Sequence, residues 1–505
     1  MVLWLGVWAG VVVAEALLYA LGPKLFRSFA WMRYVCVGIV WGALIGADIG
    51  MMLVDWRCWI FVILFSPYRL INLARLSKFR LQADRLRAVS LRAHGWLIAA
   101  QITLFLIWVA VRSLPIFGIA MSLAVLQLVG VIVLLRASLR TWRHAKPAEP
   151  TAYYTDSGLP SLSILIPARD ETDALRTCLD SLVASDYPKM EIIVLDDCSV
   201  GKKTPEIIRS YAHQGVRFVK GVAPPEGWVP KNFAYEQLRH ESAGEMILYC
   251  GVDTTFEART VRRMVETLIA RKKEMMSVLP TRLAGDGAPI ALLQSMRYYW
   301  ELCLPRRMFK RPPVLSSCWL VRAELLDELG GLKAVAQSVS PEAHFARLAV
   351  AKDVYTFVRS HGDLQVHSSK SFQDQMDTTI RMRYPQLHRR LELVAATALF
   401  EAMLFIGPFI GLSISMLLLP QSGALFVIWF ASVVVVETMY YLISVTTKLT
   451  SPVTAILTAL WAFIADIVMV HVSMLRYEFG TVNWKGRNVC IAVMRVEPHL
   501  PKLPD

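Results

Sequence analysis

The stretch SLSILIPARDETDALRTCLDSLVASDYPKMEIIVLDDCS, residues 161–199, decides the fold. SLSILIPA (161–168) is a short, nearly continuous apolar run of the kind that forms a strand buried on both faces. ETDALRTCLDSLVASD (171–186) reads as an amphipathic helix, and MEIIVLDD (190–197) as a second buried strand. Working outward, TPEIIRSYAHQ (204–214) is a helix and VRFVKG (216–221) a strand. NFAYEQLRHESA (232–243) is a further helix and EMILYC (245–250) the fourth strand. Strands alternating with helices at this spacing predict an α/β domain: a mostly parallel sheet with helices on both faces.

Polar residues collect where these strands end. The first runs into Arg169, Asp170 and Glu171, the second into Asp196, Asp197 and Ser199, and the fourth into Asp253. Ligands of open parallel sheets bind beyond the carboxyl ends of the strands, so these residues define the candidate site. The chain has neither a GxGxxG turn after the first strand nor a GxxxxGK[ST] loop, which excludes the dinucleotide fingerprint and the Walker phosphate loop. A nucleotide bound here would instead meet carboxylates at its base and ribose, and cations at its phosphates. Asp196 and Asp197 suit the first task. Lys231, following a Gly-Trp turn in GWVPKN (227–232), suits the second.

Outside this domain the composition is that of a membrane protein. The 505 residues are 55% hydrophobic, and apolar runs cluster at 2–21, 33–54, 96–112 and 116–136, then at 394–418, 423–446 and 452–474. Most approach the ~20 residues needed to cross ~30 Å of hydrocarbon as helix. Residues 1–150 form an N-terminal membrane region of four spans and 151–390 a soluble insert. Residues 391–475 form a C-terminal membrane region of about three apolar segments, and 476–505 a basic tail. The first run starts without charge, so it reads as a retained span rather than a signal peptide. Basic residues between the second and third runs (Arg57, Arg69, Arg75, Lys78, Arg80, Arg85, Arg87, Arg92) and after the fourth (Arg136, Arg140, Arg143, Lys146) place those segments and the insert in the cytoplasm, with residues 22–32 outside. Residues 67–92 fit either a basic amphipathic helix on the membrane face or a linker helix. Three C-terminal spans would leave the basic tail on the wrong side, unless one run is re-entrant or interfacial.

The net charge of +14 requires no nucleic acid, because much of it flanks spans and no basic cluster forms a stacking surface. Gly38, Gly42, Gly46 and Gly50 give the second span a bare face for close approach of another helix, within the chain or from a second one. Asp48 in the same span should face protein rather than lipid.

PARDE (167–171), VLDDCS (194–199), PPEGWVPKNFA (224–234), the strand ending in Asp253 and the tail NWKGR (483–487) resemble the membrane-integrated family 2 glycosyltransferases. That group contains ceramide glucosyltransferase, the hopanoid-associated glycosyltransferases and, more distantly, the cellulose and hyaluronan synthases. The resemblance covers about residues 160–390 and more loosely the C-terminal runs. It implies a GT-A-like fold and a nucleotide-binding set of Pro167, Arg169, Glu171, Asp196 and Asp197, with Lys231 reaching the diphosphate. It also implies a divalent Mg or Mn ion on Asp253, the second Asp of a DxD motif.

Three positions depart from that pattern. Gly251 replaces the first Asp of DxD. Ala343, in SPEAHFARL (340–348), replaces the general base, leaving Glu342 or His344 as candidate catalytic residues; Glu342 also suits a helix N-terminus that Ser340 caps and Pro341 opens. IRMRY (380–384) replaces QxxRW, keeping Arg383 for the diphosphate or as a charge flanking the next span. QSMRYYWELCLPRRMFKRPPVLSS (294–317) reads as an interfacial helix or lid. The expectation is an inverting transfer of sugar from a nucleotide-sugar donor, UDP-linked, to a membrane lipid or lipid-linked acceptor on the cytoplasmic side of the cell membrane. Its rivals are a polysaccharide synthase and a catalytically degenerate nucleotide-sugar-binding protein.

Overall fold

A computed structural model of the chain describes all residues except 1, 29–30, 55–58, 79–83, 112–114, 148–153, 283–290, 304–311, 369, 418–422 and 490–505. The sheet grows from β1 (Leu162–Ala168), which is flanked in parallel by β2 (Met190–Asp196) and β4 (Met246–Cys250). β3 (Val216–Lys220) extends it on the β2 side. β6 (Met275–Leu279), β7 (Cys318–Arg322) and β8 (Tyr355–Arg359) extend it on the other. The order is β3-β2-β1-β4-β7-β6-β8, with β7 antiparallel to both its neighbours. A short separate ladder pairs β5 (Thr254–Phe256) with β9 (Val366–Ser368), also antiparallel.

Both faces of β1 are buried, which is why its sequence does not alternate. Leu162, Ile164 and Ile166 pack with α6 (Asp173–Val183), α7 (Lys203–Ser210) and α9 (Thr260–Ala270). Leu165 points the other way, into a core with Ile193, Leu195, Tyr235, Trp319 and Phe345. That second core is closed by α8 (Pro230–Glu241), α11 (Ala323–Glu328) and α12 (Pro341–Ala351).

Among the described residues, six helices are long and apolar enough to cross a membrane. The N-terminal region is an antiparallel bundle of α1 (Val2–Ser28), α2 (Met32–Val54), α3 (Trp59–Lys78) and α4 (Asp84–Val111), whereas α5 (Ile116–His144) packs against the C-terminal apolar helices. Its buried polar contacts fix the direction of each helix. At one end Gly50 of α2 lies against the Trp4 ring of α1. Midway, Glu15 of α1 meets Arg69 of α3 at 2.6 Å and His94 of α4 at 3.0 Å. One turn further, the Tyr19 hydroxyl donates to the Asn72 carbonyl at 3.3 Å. Beyond that, Arg75 reaches Glu478 at 2.6 Å, beside the sheet domain. The C-terminal end of α1 therefore points to the domain's side, against the expectation that residues 22–32 lie opposite it; residues 29–30 lie outside the described residues.

Charge counting misread this region because it treated 57–92 as one loop. The positive charges of Arg69 and Arg75 are instead buried inside α3 and neutralised there by glutamates of α1 and the C-terminal region, so they report no loop at all. Residues 67–78 accordingly form neither a surface helix nor a linker, because α3 is a member of the bundle; residues 84–92 open α4, and 79–83 lie outside the described residues. Arg57 and the side chains of Lys78, Arg80, Arg85 and Arg87 lie outside the described residues. Asp48 is buried, as its cost in lipid requires. Of the glycine face only Gly50 makes a close approach within the chain; at Gly38, Gly42 and Gly46 a Cβ would meet nothing within 4 Å.

In the C-terminal region α14 (Leu391–Glu401) runs through a π turn at Ala402–Ile406 into α15 (Gly407–Leu417), and α16 (Gly423–Thr446) returns. α17 (Pro452–Phe479) is long and apolar, yet both its ends meet the sheet domain. Before it, the Thr447 carbonyl accepts from Arg282 N at 2.9 Å. At its far end the Tyr477 hydroxyl donates to the Arg381 carbonyl at 2.8 Å. One face, with Ala459, Phe463, Asp466, Val470 and Ser473, is buried on α10 (Leu292–Cys303) and α13 (Phe372–Gln386). The other exposes Val453, Ile456, Leu457, Trp461 and Val468. α17 thus lies along the domain with an apolar face outward, as an interfacial helix does. This returns the tail to the domain's side and removes the conflict raised by its charges; Arg495 and Lys502 lie outside the described residues.

α10 is not a lid. Tyr298, Tyr299 and Trp300 are buried, and the Trp300 indole donates to Asp466 of α17 at 2.7 Å; residues 304–311 of that segment lie outside the described residues.

Candidate functional site

Two backbone turns shape the tips of β1 and β2. Asp170 (φ 48°) and Cys198 (φ 54°) are both left-handed, a conformation that Asp tolerates better than most non-glycine residues. Asp170 Oδ1 accepts from Val200 N at 2.8 Å, and its own N–H donates to Ser199 Oγ at 2.9 Å, so the two tips are tied together. Pro167 sits inside β1 opposite Leu195. Arg169 is buried and donates to the Asp197 carbonyl at 2.6 Å. Asp196 is buried as well and accepts from Ser199 N at 3.2 Å.

The tail reaches this edge. β10 (Asn483–Trp484) and β11 (Arg487–Asn488) form a hairpin closed by Lys485 and Gly486, both with positive φ, as a two-residue type I′ turn demands. Arg487 grips Asp197 with both contacts at 2.9 Å. Lys485 lies 3.1 Å from Glu171, and its carbonyl accepts from Arg169 Nε at 2.9 Å. Burial raises the pKa of Asp197 and of Glu171, against the opposing pull of Arg487 and Lys485 respectively. The WKGR element, read from sequence only as a point of resemblance, is therefore part of the site.

A second group assembles around Lys231. The Asn232 side-chain amide donates to the carbonyls of Val335 and Ser338, both at 2.7 Å. This clamps the start of α8 to the segment leading into α12, bringing Lys231 and Glu342 to face each other. Burial pushes the Lys231 ammonium down to about 8, partly offset by Glu342 and Asp253 and reinforced by Arg381 and Lys370. Glu342 is 2% exposed, and its Oε2 has no hydrogen-bond partner among the described residues. Burial raises its carboxyl above the usual range, with Lys231 pulling the other way. Ser340 does occupy the N-cap position and Pro341 the first turn, but the Ser340 hydroxyl makes no capping bond.

His344 is placed elsewhere: it is exposed, its ring against Phe345, and burial together with Arg347 lowers its pKa. Arg383 is likewise kept from the phosphate region. It pairs with Glu401 and Asp466 of the apolar helices and lies 5.9 Å from the Trp300 ring. Arg381, two residues earlier, takes the inward position: it sits over the Trp484 ring at 5.5 Å, and its charge is felt by Lys231.

Asp253 lies between the two groups. Its side chain is 27% exposed, and its Oδ2 is 3.3 Å from Lys370 Nζ. Burial acts to raise its pKa, but Lys370 and Lys231 overcome this and hold it below the usual carboxylate range. Its other oxygen folds over Gly251, 2.5 Å from where a Cβ would stand, so a side chain at 251 is incompatible with this rotamer. Lys370 was missed by motif reading: it follows β9, whose Ser368 pairs with Thr254, and only its ion pair shows that it meets Asp253.

These residues do not fit the dication expected from the DxD resemblance. Among the described residues there is no group of three His, Cys, Asp or Glu side chains able to hold a metal. The carboxylates nearest the expected position, Asp253 and Glu171, each already carry a lysine. Unit like charges at 4 Å repel by about 4 kcal/mol at an effective dielectric of 20, and a dication beside Lys370 would double that.

Residues 163–330 match the family model described as "Glycosyl transferase family 2". Together with the sheet topology, this makes the soluble domain a family 2 glycosyltransferase domain of GT-A-like fold, set between long apolar helices. The chain is 26% identical over 225 residues to "Probable glycosyltransferase YdaM" of Bacillus subtilis (strain 168), covering 43% of this chain and 53% of that one. It is 24% identical over 155 residues to an "N-acetylglucosaminyltransferase" of Rhizobium leguminosarum bv. phaseoli, covering 30% and 34%. It thus spans about half and a third of these curated relatives. Among solved structures it is similar to the mannosyltransferase PcManGT from Pyrobaculum calidifontis in complex with GDP-Man and Mn2+. That match has 17% identity and a TM-score of 0.41, covering 69% of this chain and 99% of that one.

Proposed function

We propose that the chain transfers a sugar from a nucleotide sugar, UDP-linked in the first instance, to a lipid or lipid-linked hydroxyl at the cytoplasmic face of the cell membrane, inverting the anomeric carbon. One observation carries the reading: the strand tips with Arg169, Asp196 and Asp197, the Lys231 turn and Asp253 collect on one edge of the sheet, where Glu342 waits as a buried carboxylate with an unpartnered oxygen. The two aspartates and Arg169 receive the nucleoside, and Lys231 the diphosphate. The acceptor oxygen attacks the anomeric carbon, the bond to the diphosphate breaks with its electron pair on the leaving oxygen, and Glu342 takes the acceptor's proton. Burial raises the Glu342 carboxyl above the usual range, which makes its ionised form a stronger proton acceptor. The interfacial α17 and the tail beside the donor edge favour an acceptor that arrives from the membrane.

Purified protein supplied with radiolabelled UDP-glucose, UDP-N-acetylglucosamine or GDP-mannose and a total membrane lipid extract should form a labelled lipid. Glu342→Gln should lower the rate by about 10²–10⁴-fold while nucleotide binding persists. Nucleotide binding without turnover under any donor would instead establish the degenerate, non-catalytic reading.

A further inference from the structure

We infer that Lys370 holds the place of the divalent cation, so that the donor diphosphate is bound and its departure assisted by Lys370, Lys231 and Arg381 without a metal ion. The inference rests on the glycosyl-transfer reading and departs from the family expectation at one point of the site. Three independent features converge on it.

The first is the β5–β9 ladder, which pairs Thr254 with Ser368 and so brings the strand end that precedes Lys370 next to Asp253, where the ammonium lies 3.3 Å from Oδ2. The second is Gly251: the missing carboxylate leaves a gap into which Asp253 folds, turning its Oδ1 inward and its Oδ2 onto the ammonium. The third is how Lys370 is held. The Ser371 hydroxyl accepts from Asp374 N at 3.1 Å and fixes the start of α13, and the Gln375 amide donates to the Lys370 carbonyl at 3.3 Å. Lys370 Nζ then donates to Thr378 Oγ1 at 3.4 Å. Asp253 and Thr378 use two of the ammonium's three N–H bonds, and the third is left for a phosphate oxygen.

α13 carries Arg381 further along, and Lys231 enters from α8. Three monocations from two helices and one loop thus surround the position where the leaving oxygen takes up its electron pair, the electrostatic task a dication performs elsewhere. Asp253 acts here as a positioning residue for Lys370.

Nucleotide binding tests this separately from turnover. Calorimetry of the full-length protein in detergent, with UDP, GDP and ADP as probes, is run in EDTA and in Mn2+ or Mg2+. The wild type is expected to bind its preferred nucleotide with a Kd that differs by less than about threefold between the two conditions. Lys370→Ala should weaken binding in EDTA by about tenfold or more, Lys370→Arg should restore most of it, and Mn2+ should partly rescue the alanine variant by occupying the freed Asp253. Asp253→Asn should shift the Kd by the same factor with and without metal. Binding by the wild type only when a divalent ion is added, or an unchanged Kd for Lys370→Ala in EDTA, overturns the inference and leaves the transferase reading standing. Absence of binding by all three nucleotides in both conditions overturns the donor site itself, and the inference with it.

Discussion

Replacing Lys231 by methionine keeps the length of the side chain and removes its charge, and the structure sets the size of the result. The fall of its pKa from 10.5 to about 8 means that the site without ligand opposes the charge by about 3 kcal/mol. The unfolded chain binds this proton up to pH 10.5, whereas the folded chain releases it near 8. Below pH 8 both states are protonated and the full penalty is present. Between pH 8 and 10.5 the unfolded state holds more protons, so the stability of the wild type rises with pH. Lys231→Met is therefore expected to be more stable than wild type at pH 7, by up to about 3 kcal/mol, with the advantage shrinking towards pH 10.5. Denaturation midpoints of the two proteins, compared from pH 7 to 10, measure this difference directly. A nucleoside diphosphate reverses it, because its negative charge restores the ammonium's proton affinity. The wild-type Kd for UDP should stay flat below pH 8 and rise by about tenfold per pH unit above it. A stability difference independent of pH, or a wild type more stable than the variant at pH 7 without nucleotide, would refute the reasoning.

Arg487→Ala leaves the buried Asp197 without its bidentate partner. Undocking of the 483–488 hairpin should become easier by about 3–5 kcal/mol, seen as faster trypsin cleavage after Lys485. Gly251→Asp introduces a Cβ 2.5 Å from the Asp253 carboxylate, which must swing away from Lys370. This variant should gain a dependence of UDP affinity on Mn2+, visible as a Kd at least about tenfold tighter with the ion than in EDTA. In the membrane bundle, Gly50→Leu collides with the Trp4 ring, whereas Gly42→Leu faces open space. The first should lower thermal stability by about 1–3 kcal/mol and the second should leave the monomer's stability unchanged. A loss of dimer in the Gly42 variant, read by size-exclusion light scattering, would show that the glycine face serves a second chain.

Much of the candidate site was legible because strand-tip chemistry is local. The buried runs at 161–168 and 190–197 had to be strands, and whatever follows a parallel strand stands on the ligand's side of the sheet. Arg169, Asp196, Asp197 and Asp253 were found in this way. Lys370 and Arg381 were not, because nothing in their own neighbourhood distinguishes them from charges flanking a span; only the ion pair with Asp253 and the face of α13 show them turned inward. The same limit misassigned Arg383, whose partners Glu401 and Asp466 lie well along the chain in apolar segments.

Hydrophobic periodicity and run length, which are properties of consecutive residues, determined that this chain is a sheet domain between apolar helices and which strand tips form the candidate site. Pairing between distant segments decided the rest. Arg69 and Arg75 are interior charges because Glu15 and Glu478 neutralise them. The long helix 452–479 lies along the domain because residues at both its ends bond to it. A side chain's charge is written in the sequence, but its work depends on the opposite charge it finds, and in this protein that partner lies up to 403 residues away.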